Sequence, residues 1–166
     1  MTVQAVEDGI EMAPSFGSPA RQNPETSPTT GQSKRGIGPQ GEPRMGLAGR
    51  RVLIVEDEAM ISALIEMIVG AAGCAIVGPV ATLEEALQII EHERLDAALL
   101  DVRVNGRDVY AVADALSARG IPMIFISGYA RPQLPPRYRD LPYIAKPFTP
   151  DTILMRLDEV IAGNGA

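Results

Sequence analysis

Five short apolar runs alternate with helix-like stretches between residues 51 and 163, and this alternation limits the possible folds most strongly. Each run is continuously apolar rather than alternately polar, which is typical of strands buried on both faces. Such strands, when separated by helices, form a parallel sheet covered by helices on both sides. We therefore predict an α/β, doubly wound, five-stranded parallel sheet. The runs are RVLIV at 51–55, CAIVGPV at 74–80, LDAALL at 95–100, IPMIFIS at 121–127 and YIA at 143–145.

The stretches between the runs carry helix signals. Thr82 followed by Glu85 forms a capping box, and Thr149 before Pro150 is typical of a helix start. We predict helices within residues 58–73, 83–94, 109–120 and 150–163. The predicted helix at 58–73 carries an apolar stripe that we interpret as core rather than interface. Its members are Met60, Ile61, Leu64, Ile65, Met67 and Ile68.

The first 48 residues differ from the rest of the chain. They are rich in Ser, Thr, Pro, Gly and Gln without an apolar period, and such a segment cannot bury enough surface to offset its ordering entropy. We predict a disordered tail at 1–48, one domain at 49–163 and a short C-terminal tail at 164–166. The long tail is interpreted as a solvated tether or docking arm, or as an extension upstream of a natural start at Met45.

Charge and composition exclude some functions. The chain has 15 Lys and Arg against 21 Asp and Glu, a net charge of -6, which argues against a nucleic-acid partner.

The N-terminus lacks the basic start and apolar segment of a secretory signal, and Glu66 interrupts the stretch at 60–81 that most resembles a membrane span. We predict a cytoplasmic protein without membrane insertion, whose one cysteine, Cys74, is buried.

Chemically useful side chains follow the predicted strands. Glu56 and Asp57 follow the first strand and Asp101 the third. Ligands of open α/β sheets bind at the carboxyl ends of the strands. Neighbouring carboxylates repel one another unless a cation joins them, and oxygen ligands suit Mg²⁺. We therefore predict a Mg²⁺ site at this edge.

Two further residues at this edge suit a phosphoryl group. Ser127 ends the fourth strand and Lys146 follows the fifth. A lysine and a hydroxyl together with a metal neutralise the charge of a transferring phosphoryl group. Asp101 is the best-placed nucleophile, since it is central and flexible backbone follows it.

Four sequence blocks resemble the bacterial response-regulator receiver domains. The blocks are VLIVEDE, LLDVRVNG, FISGY and AKPF, and the resemblance covers about residues 50–162. It implies a sheet of order 2-1-3-4-5 and a phosphoryl group accepted by Asp101 from a histidine kinase or a histidine phosphotransfer protein. It also implies roles for individual residues. Asp57 and Asp101 match direct Mg²⁺ ligands, Glu56 a ligand through water, Arg103 a backbone-carbonyl ligand, Ser127 and Lys146 phosphate contacts, and Ser127 and Tyr143 the switch.

The fourth strand is also similar to a stand-alone subgroup named after its FATGUY motif. Phe125, Ser127, Gly128 and Tyr129 approximate that motif, with Ser for Thr and with Tyr one place closer. Three departures from the wider family stand out: Asn105-Gly106 replaces the usual Pro-Gly, Arg103 places a cation beside the site, and four prolines follow Tyr129. Because prolines break helices, we predict a shortened or missing fourth helix. The prolines are Pro132, Pro135, Pro136 and Pro142.

Three functions follow from these observations. The leading hypothesis is a single-domain, phosphorylation-controlled switch of a two-component system or phosphorelay, not an enzyme, which acts through protein contacts without an output domain. A phosphorylation-independent binding module is an alternative. A haloacid-dehalogenase-like phosphatase fits less well, because Arg103 occupies the place of its second acid. His92 is interpreted as an exposed helix-terminal residue, and the oligomeric state stays open.

Overall fold

The computed structural model describes residues 46–128 and 134–164, and its centre is a five-stranded parallel sheet. The strands are β1 (Arg51–Val55), β2 (Ala75–Val80), β3 (Ala97–Asp101), β4 (Arg103–Val104), β5 (Arg107–Asp108), β6 (Met123–Ser127) and β7 (Tyr143–Ala145). The strand order β2-β1-β3-β6-β7 of the sheet confirms the predicted doubly wound fold. A separate two-stranded antiparallel hairpin, β4–β5, follows β3.

Within the described residues, four α-helices cover the sheet, two on each face. The helices are α1 (Ala59–Ala71), α2 (Leu83–His92), α3 (Tyr110–Ala118) and α4 (Pro150–Gly163). The predicted caps are present: the Thr82 hydroxyl accepts the Glu85 N–H and donates to the Glu85 carboxylate, and the Thr149 hydroxyl accepts the Thr152 N–H. Local sequence therefore sets where α2 and α4 begin.

Successive residues of each central strand feed two separate cores. On β1, Leu53 belongs to the cluster with α2 and α3, and Ile54 belongs to the cluster with α1 and α4. Leu100 and Leu99 divide in the same way on β3, and all four side chains are at most 1% exposed. Because both faces of the strands are buried, the runs read as continuously apolar.

Within its described residues, the connection between β6 and β7 contains no α-helix at the place of the predicted shortened or missing fourth helix. A 3-10 turn at Pro136–Tyr138 is the helical structure described there, in agreement with the predicted shortened or missing helix. Tyr138 is 2% exposed and stacks on Tyr110 of α3 at a centroid distance of 4.8 Å. Residues 129–133 lie outside the described part, including Tyr129 of the FATGUY-like motif.

The predicted apolar stripe of α1 is only partly core. Ile65 and Ile68 are buried, but Met60 is 86% exposed, Met67 65% and Leu64 39%. The prediction was wrong for these three residues, because an α-helix packed on one side of a sheet buries one stripe and this helix is apolar over a wider arc.

The ordered packing includes one residue of the predicted tail. Leu47 is fully buried among residues of α1 and α4, and its carbonyl accepts a hydrogen bond from the Cys74 thiol at 3.3 Å. Cys74 is buried as predicted. Residues 1–45 and 165–166 lie outside the described part.

None of the helices within the described residues is both long and apolar enough to span a bilayer.

Candidate functional site

The parallel register brings the predicted site residues to one edge of the sheet. Val55 pairs with Leu100, so Glu56 leaves β1 beside Asp101 at the end of β3. On the other side of β3, Ser127 ends β6 and pairs with Ala145, which precedes Lys146. The structure therefore brings together the carboxylates, the hydroxyl and the lysine that the sequence placed at strand ends.

The three acids form a compact cluster. One carboxylate oxygen from each of Glu56, Asp57 and Asp101 lies within 4.8 Å of the other two. The side chain of Glu56 is 1% exposed and that of Asp101 12%, whereas Asp57 is partly exposed. Unneutralised carboxylates this close together repel strongly in a poorly solvated setting.

Lys146 supplies the neutralising charge. Its ammonium group donates to Glu56 Oε2 at 2.8 Å and to Asp101 Oδ2 at 2.6 Å. Glu58, which is mostly exposed, lies farther away at 3.7 Å. The lysine side chain is 15% exposed, so these are partly desolvated ion pairs and stronger than surface pairs.

The pKa values follow from this arrangement. Burial raises the pKa of Glu56 above its usual range, and the hydrogen bond from Lys146 opposes that shift only in part. Burial by itself would lower the pKa of Lys146, but hydrogen bonds to Asp101 and Glu56 outweigh it and raise the pKa. Lys146 is therefore held as a cation, and Glu56 takes up a proton more readily than an exposed glutamate.

Backbone donors fix the acids from the other side. The Arg103 N–H donates to Asp101 Oδ1 at 3.0 Å, and the Glu58 N–H donates to Glu56 Oε1 at 3.1 Å. Asp101 Oδ1 thus accepts a hydrogen bond from Arg103, and Asp101 Oδ2 accepts one from Lys146. The Asp101 carboxylate is held in one orientation at the edge of the sheet.

Arg103 lies in β4, directly beside the cluster. Its guanidinium donates to the Gly106 carbonyl at 2.6 Å, so the side chain folds along its own hairpin. No described contact tests the predicted metal-ligand role of its carbonyl.

Ser127 and Tyr143 lie next to each other on adjacent strands. Ser127 is 1% exposed, and its carbonyl accepts the Lys146 N–H at 2.8 Å and the Tyr143 hydroxyl at 3.3 Å. Tyr143 is partly buried and packs against the core between the sheet, α2 and α3. The predicted switch pair is thus in contact through the Ser127 backbone.

An open cleft of about 540 Å³ lies over the site, next to Asp57, Asp101, Ser127 and Lys146. Its volume is sufficient for a phosphoryl group with a hydrated cation. Carboxylate oxygens are the ligands that Mg²⁺ prefers, so the acidic cluster fits that ion. The lining residues are Asp57, Glu58, Asp101, Arg103, Gly106, Ser127, Gly128 and Lys146.

Two contacts at the site were not expected from the sequence. Glu58 lines the cleft near Lys146, although an acid at the start of a helix is usually a solvated residue. Asn105, predicted only as a turn residue, donates its N–H to Asp57 Oδ2 at 2.9 Å. The sequence signal for it was its place in an Asn-Gly turn four residues after Asp101.

His92 lies apart from the site, at the end of α2. It is exposed, and its Nδ1 lies 2.8 Å from the Gln88 carbonyl. The prediction of an exposed helix-terminal histidine is confirmed.

Comparisons with known proteins agree on one family. The family model described as the response regulator receiver domain matches residues 52–158. The chain is 29% identical over 117 residues to the transcriptional regulatory protein PdtaR of Mycobacterium tuberculosis, covering 68% of this chain and 57% of PdtaR. The chain therefore spans little more than half of that curated relative.

Solved structures give the same result. The solution structure of SdrG from Sphingomonas melonis Fr1 is 35% identical with a TM-score of 0.60, covering 72% of this chain and 98% of SdrG. The receiver domain of the sensor histidine kinase PA1611 from Pseudomonas aeruginosa PAO1 is 27% identical with a TM-score of 0.60. The match covers 69% of this chain and 99% of that domain. That structure has a magnesium ion coordinated in its active-site cleft.

Proposed function

This chain belongs to the response regulator receiver domain family, and we propose that it is a phosphorylation-controlled signalling switch whose phosphoryl acceptor is Asp101. The observation that carries the proposal is the bridge made by Lys146. One ammonium group contacts both Asp101 and Glu56, beside Asp57 and under an open cleft. This arrangement provides a nucleophile, a cation and room for the transferring group.

Asp101 acts as the nucleophile in this proposal. One carboxylate oxygen attacks the phosphorus of a phosphohistidine on a histidine kinase or phosphotransfer protein, the P–N bond breaks, and an acyl phosphate forms on Asp101. The imidazole leaves with the bonding electron pair and takes up a proton. The Arg103 N–H supports the step because it fixes the other oxygen of Asp101. The carboxylate is therefore already oriented and does not have to reorganise during the reaction.

Lys146 and Ser127 receive the phosphoryl oxygens. The ammonium group of Lys146 already lies 2.6 Å from Asp101 and neutralises negative charge that would build up there. Ser127 lines the same cleft, so its hydroxyl is a candidate donor to a phosphoryl oxygen.

Mg²⁺ is the cofactor that the donor set suits. Glu56, Asp57, Asp101 and the Arg103 backbone carbonyl would hold it, with Glu56 acting through water. When bound, the ion would supply positive charge that offsets the charge of the phosphoryl oxygens. The clustering of the three carboxylates supports this role, as does the magnesium ion of the PA1611 receiver domain.

The output is a change of shape read by other proteins. A phosphoryl group held by Ser127 and Lys146 would favour one packing of the ends of β6 and β7, and Tyr143, whose hydroxyl contacts the Ser127 carbonyl, would move with it. The partners are a histidine kinase or phosphotransfer protein and a regulated protein. No nucleic-acid contact is part of the proposal, and its setting is the cytoplasm.

The first test is phosphorylation by a small donor. Wild-type protein and Asp101→Asn are incubated with acetyl phosphate and Mg²⁺, and intact masses are recorded. We expect wild type alone to gain one phosphoryl group, and only when Mg²⁺ is present. Folded wild-type protein without that gain would contradict the switch and favour the phosphorylation-independent binding module.

A further inference from the structure

The hairpin β4–β5 is fastened to the site through its tip. Asn105 makes two contacts there: its N–H donates to Asp57 Oδ2 at 2.9 Å, and its side-chain Nδ2 donates to the Ala81 carbonyl at 2.6 Å. Asp57 follows β1 and Ala81 follows β2. One residue of the hairpin therefore joins the loops after two other strands.

The backbone at the tip makes this double contact possible. Asn105 has φ +50° and Gly106 has φ +73°, the left-handed conformations of a type I′ turn. Asparagine tolerates this region better than most residues, and unlike proline it keeps an N–H to donate. The residue type therefore fits both the turn and the contact with Asp57.

A second tether of the hairpin goes elsewhere. Arg107 forms an ion pair with Glu84 of α2 at 2.6 Å, with both side chains at least 60% exposed. This contact fastens the hairpin to α2 and does not involve the acidic cluster. It provides a comparison for effects that arise from loosening the hairpin in general.

We propose that Asn105 is a positioning residue for Asp57. Its side chain, anchored on Ala81, holds its own backbone N–H on Asp57, so that this carboxylate keeps one orientation at the edge of the acidic cluster. Removing the anchor lets the tip move, and the hydrogen bond to Asp57 weakens. This role deepens the proposed function and rests on it, since Asp57 is there a Mg²⁺ ligand.

The first experiment needs neither metal nor phosphate. Amide hydrogen exchange is followed by NMR in the metal-free full chain for wild type, Asn105→Gly and Arg107→Gln. Glycine keeps the N–H and accepts the positive φ, so Asn105→Gly removes the side-chain contact with Ala81 without straining the turn. We expect the protection factor of the residue-105 amide to fall by roughly three- to tenfold in Asn105→Gly, as for the loss of one hydrogen bond, and to stay within about twofold in Arg107→Gln.

The second experiment measures the consequence for the cluster. Mg²⁺ affinity is determined by calorimetric titration of the same three proteins, with folding checked by their amide spectra. We expect Asn105→Gly to bind Mg²⁺ roughly three- to tenfold more weakly and Arg107→Gln to match wild type.

The outcomes separate the two proposals. Unchanged exchange at residue 105 in Asn105→Gly, or equal weakening in both variants, would overturn the positioning role. If wild type neither binds Mg²⁺ nor gains a phosphoryl group, the proposed function fails, while the exchange data still decide whether Asn105 holds Asp57.

Discussion

Lys146 is the residue on which the charge balance of the site depends. Its amine lies within 2.8 Å of two carboxylates that would otherwise face each other in a partly desolvated pocket. Removing one member of a desolvated ion pair leaves the partner uncompensated, which costs more than the pair itself contributes. The stability of the metal-free protein should therefore respond sharply to this side chain.

We expect Lys146→Met to lower the free energy of unfolding in EDTA by about 2–4 kcal/mol, at or slightly below the usual range for a broken buried pair. Methionine keeps an unbranched apolar stem of similar length, so the effect reports the charge. Urea unfolding followed by circular dichroism measures it.

The matched control is Glu58→Gln. Glu58 lies 3.7 Å from the same amine but is 66% exposed, so its loss should change the free energy of unfolding by less than about 1 kcal/mol. Equal stability of Lys146→Met and wild type would contradict the charge argument.

Among the elements, the 3-10 turn at Pro136–Tyr138 spans only three residues. Tyr138 holds it through contacts outside the turn: the ring stacks on Tyr110 and meets the edge of Phe125, and the hydroxyl donates to Asp114 Oδ1 at 2.6 Å. Arg137 adds a guanidinium over the Tyr138 ring and an ion pair with Asp114. Side chains on α3 thus position a connection too rich in proline to form a helix.

Tyr138→Phe should lower the free energy of unfolding by about 1–2 kcal/mol, because it removes a hydrogen bond to a charged group and keeps the stacked ring. Thermal unfolding and the loss of protection of amides in residues 134–142 measure the effect. Tyr110→Phe, which keeps the other ring of the stack, is the control with the smaller expected change. A larger loss in Tyr110→Phe would show that the Asp114 contact does not hold the turn.

At the scale of the whole molecule, one hydrophobic core lies on each face of the sheet. Leu47, which precedes β1, packs into one of these cores. Leu47 is fully buried in the core shared by α1 and α4. Two backbone bonds support this position, from the Gly49 N–H to the Gly73 carbonyl and from the Arg50 N–H to the Leu47 carbonyl. The packed unit thus includes residues that composition alone assigned to the tail.

Leu47→Ala in the full chain should lower the free energy of unfolding by about 2–4 kcal/mol, as for other buried leucines. Met60→Ala, at a side chain that is 86% exposed, should change it by less than about 0.5 kcal/mol. Chemical unfolding of both variants gives the comparison. Similar values for the two would mean that Leu47 does not contribute to the core.

Local sequence determined the strands of the main sheet, the helices that cover it and five residues of the candidate site. Apolar runs and caps predict strands and helices because strand burial and helix starts depend on neighbouring residues, and β1, α2 and α4 begin within a residue or so of their predicted positions. The edge that holds Glu56, Asp57, Asp101, Ser127 and Lys146 follows from the parallel sheet, since every strand ends there.

Only the tertiary structure decided which of these groups touch. Lys146 meets Glu56 across 90 residues of sequence and Asp101 across 45, and Asn105 meets Asp57 across 48. No local period encodes such pairs, because they depend on how separate elements pack against one another. The same reason explains why Met60 is exposed and Leu47 buried: both are apolar, and only the neighbouring elements determine which side chain is covered.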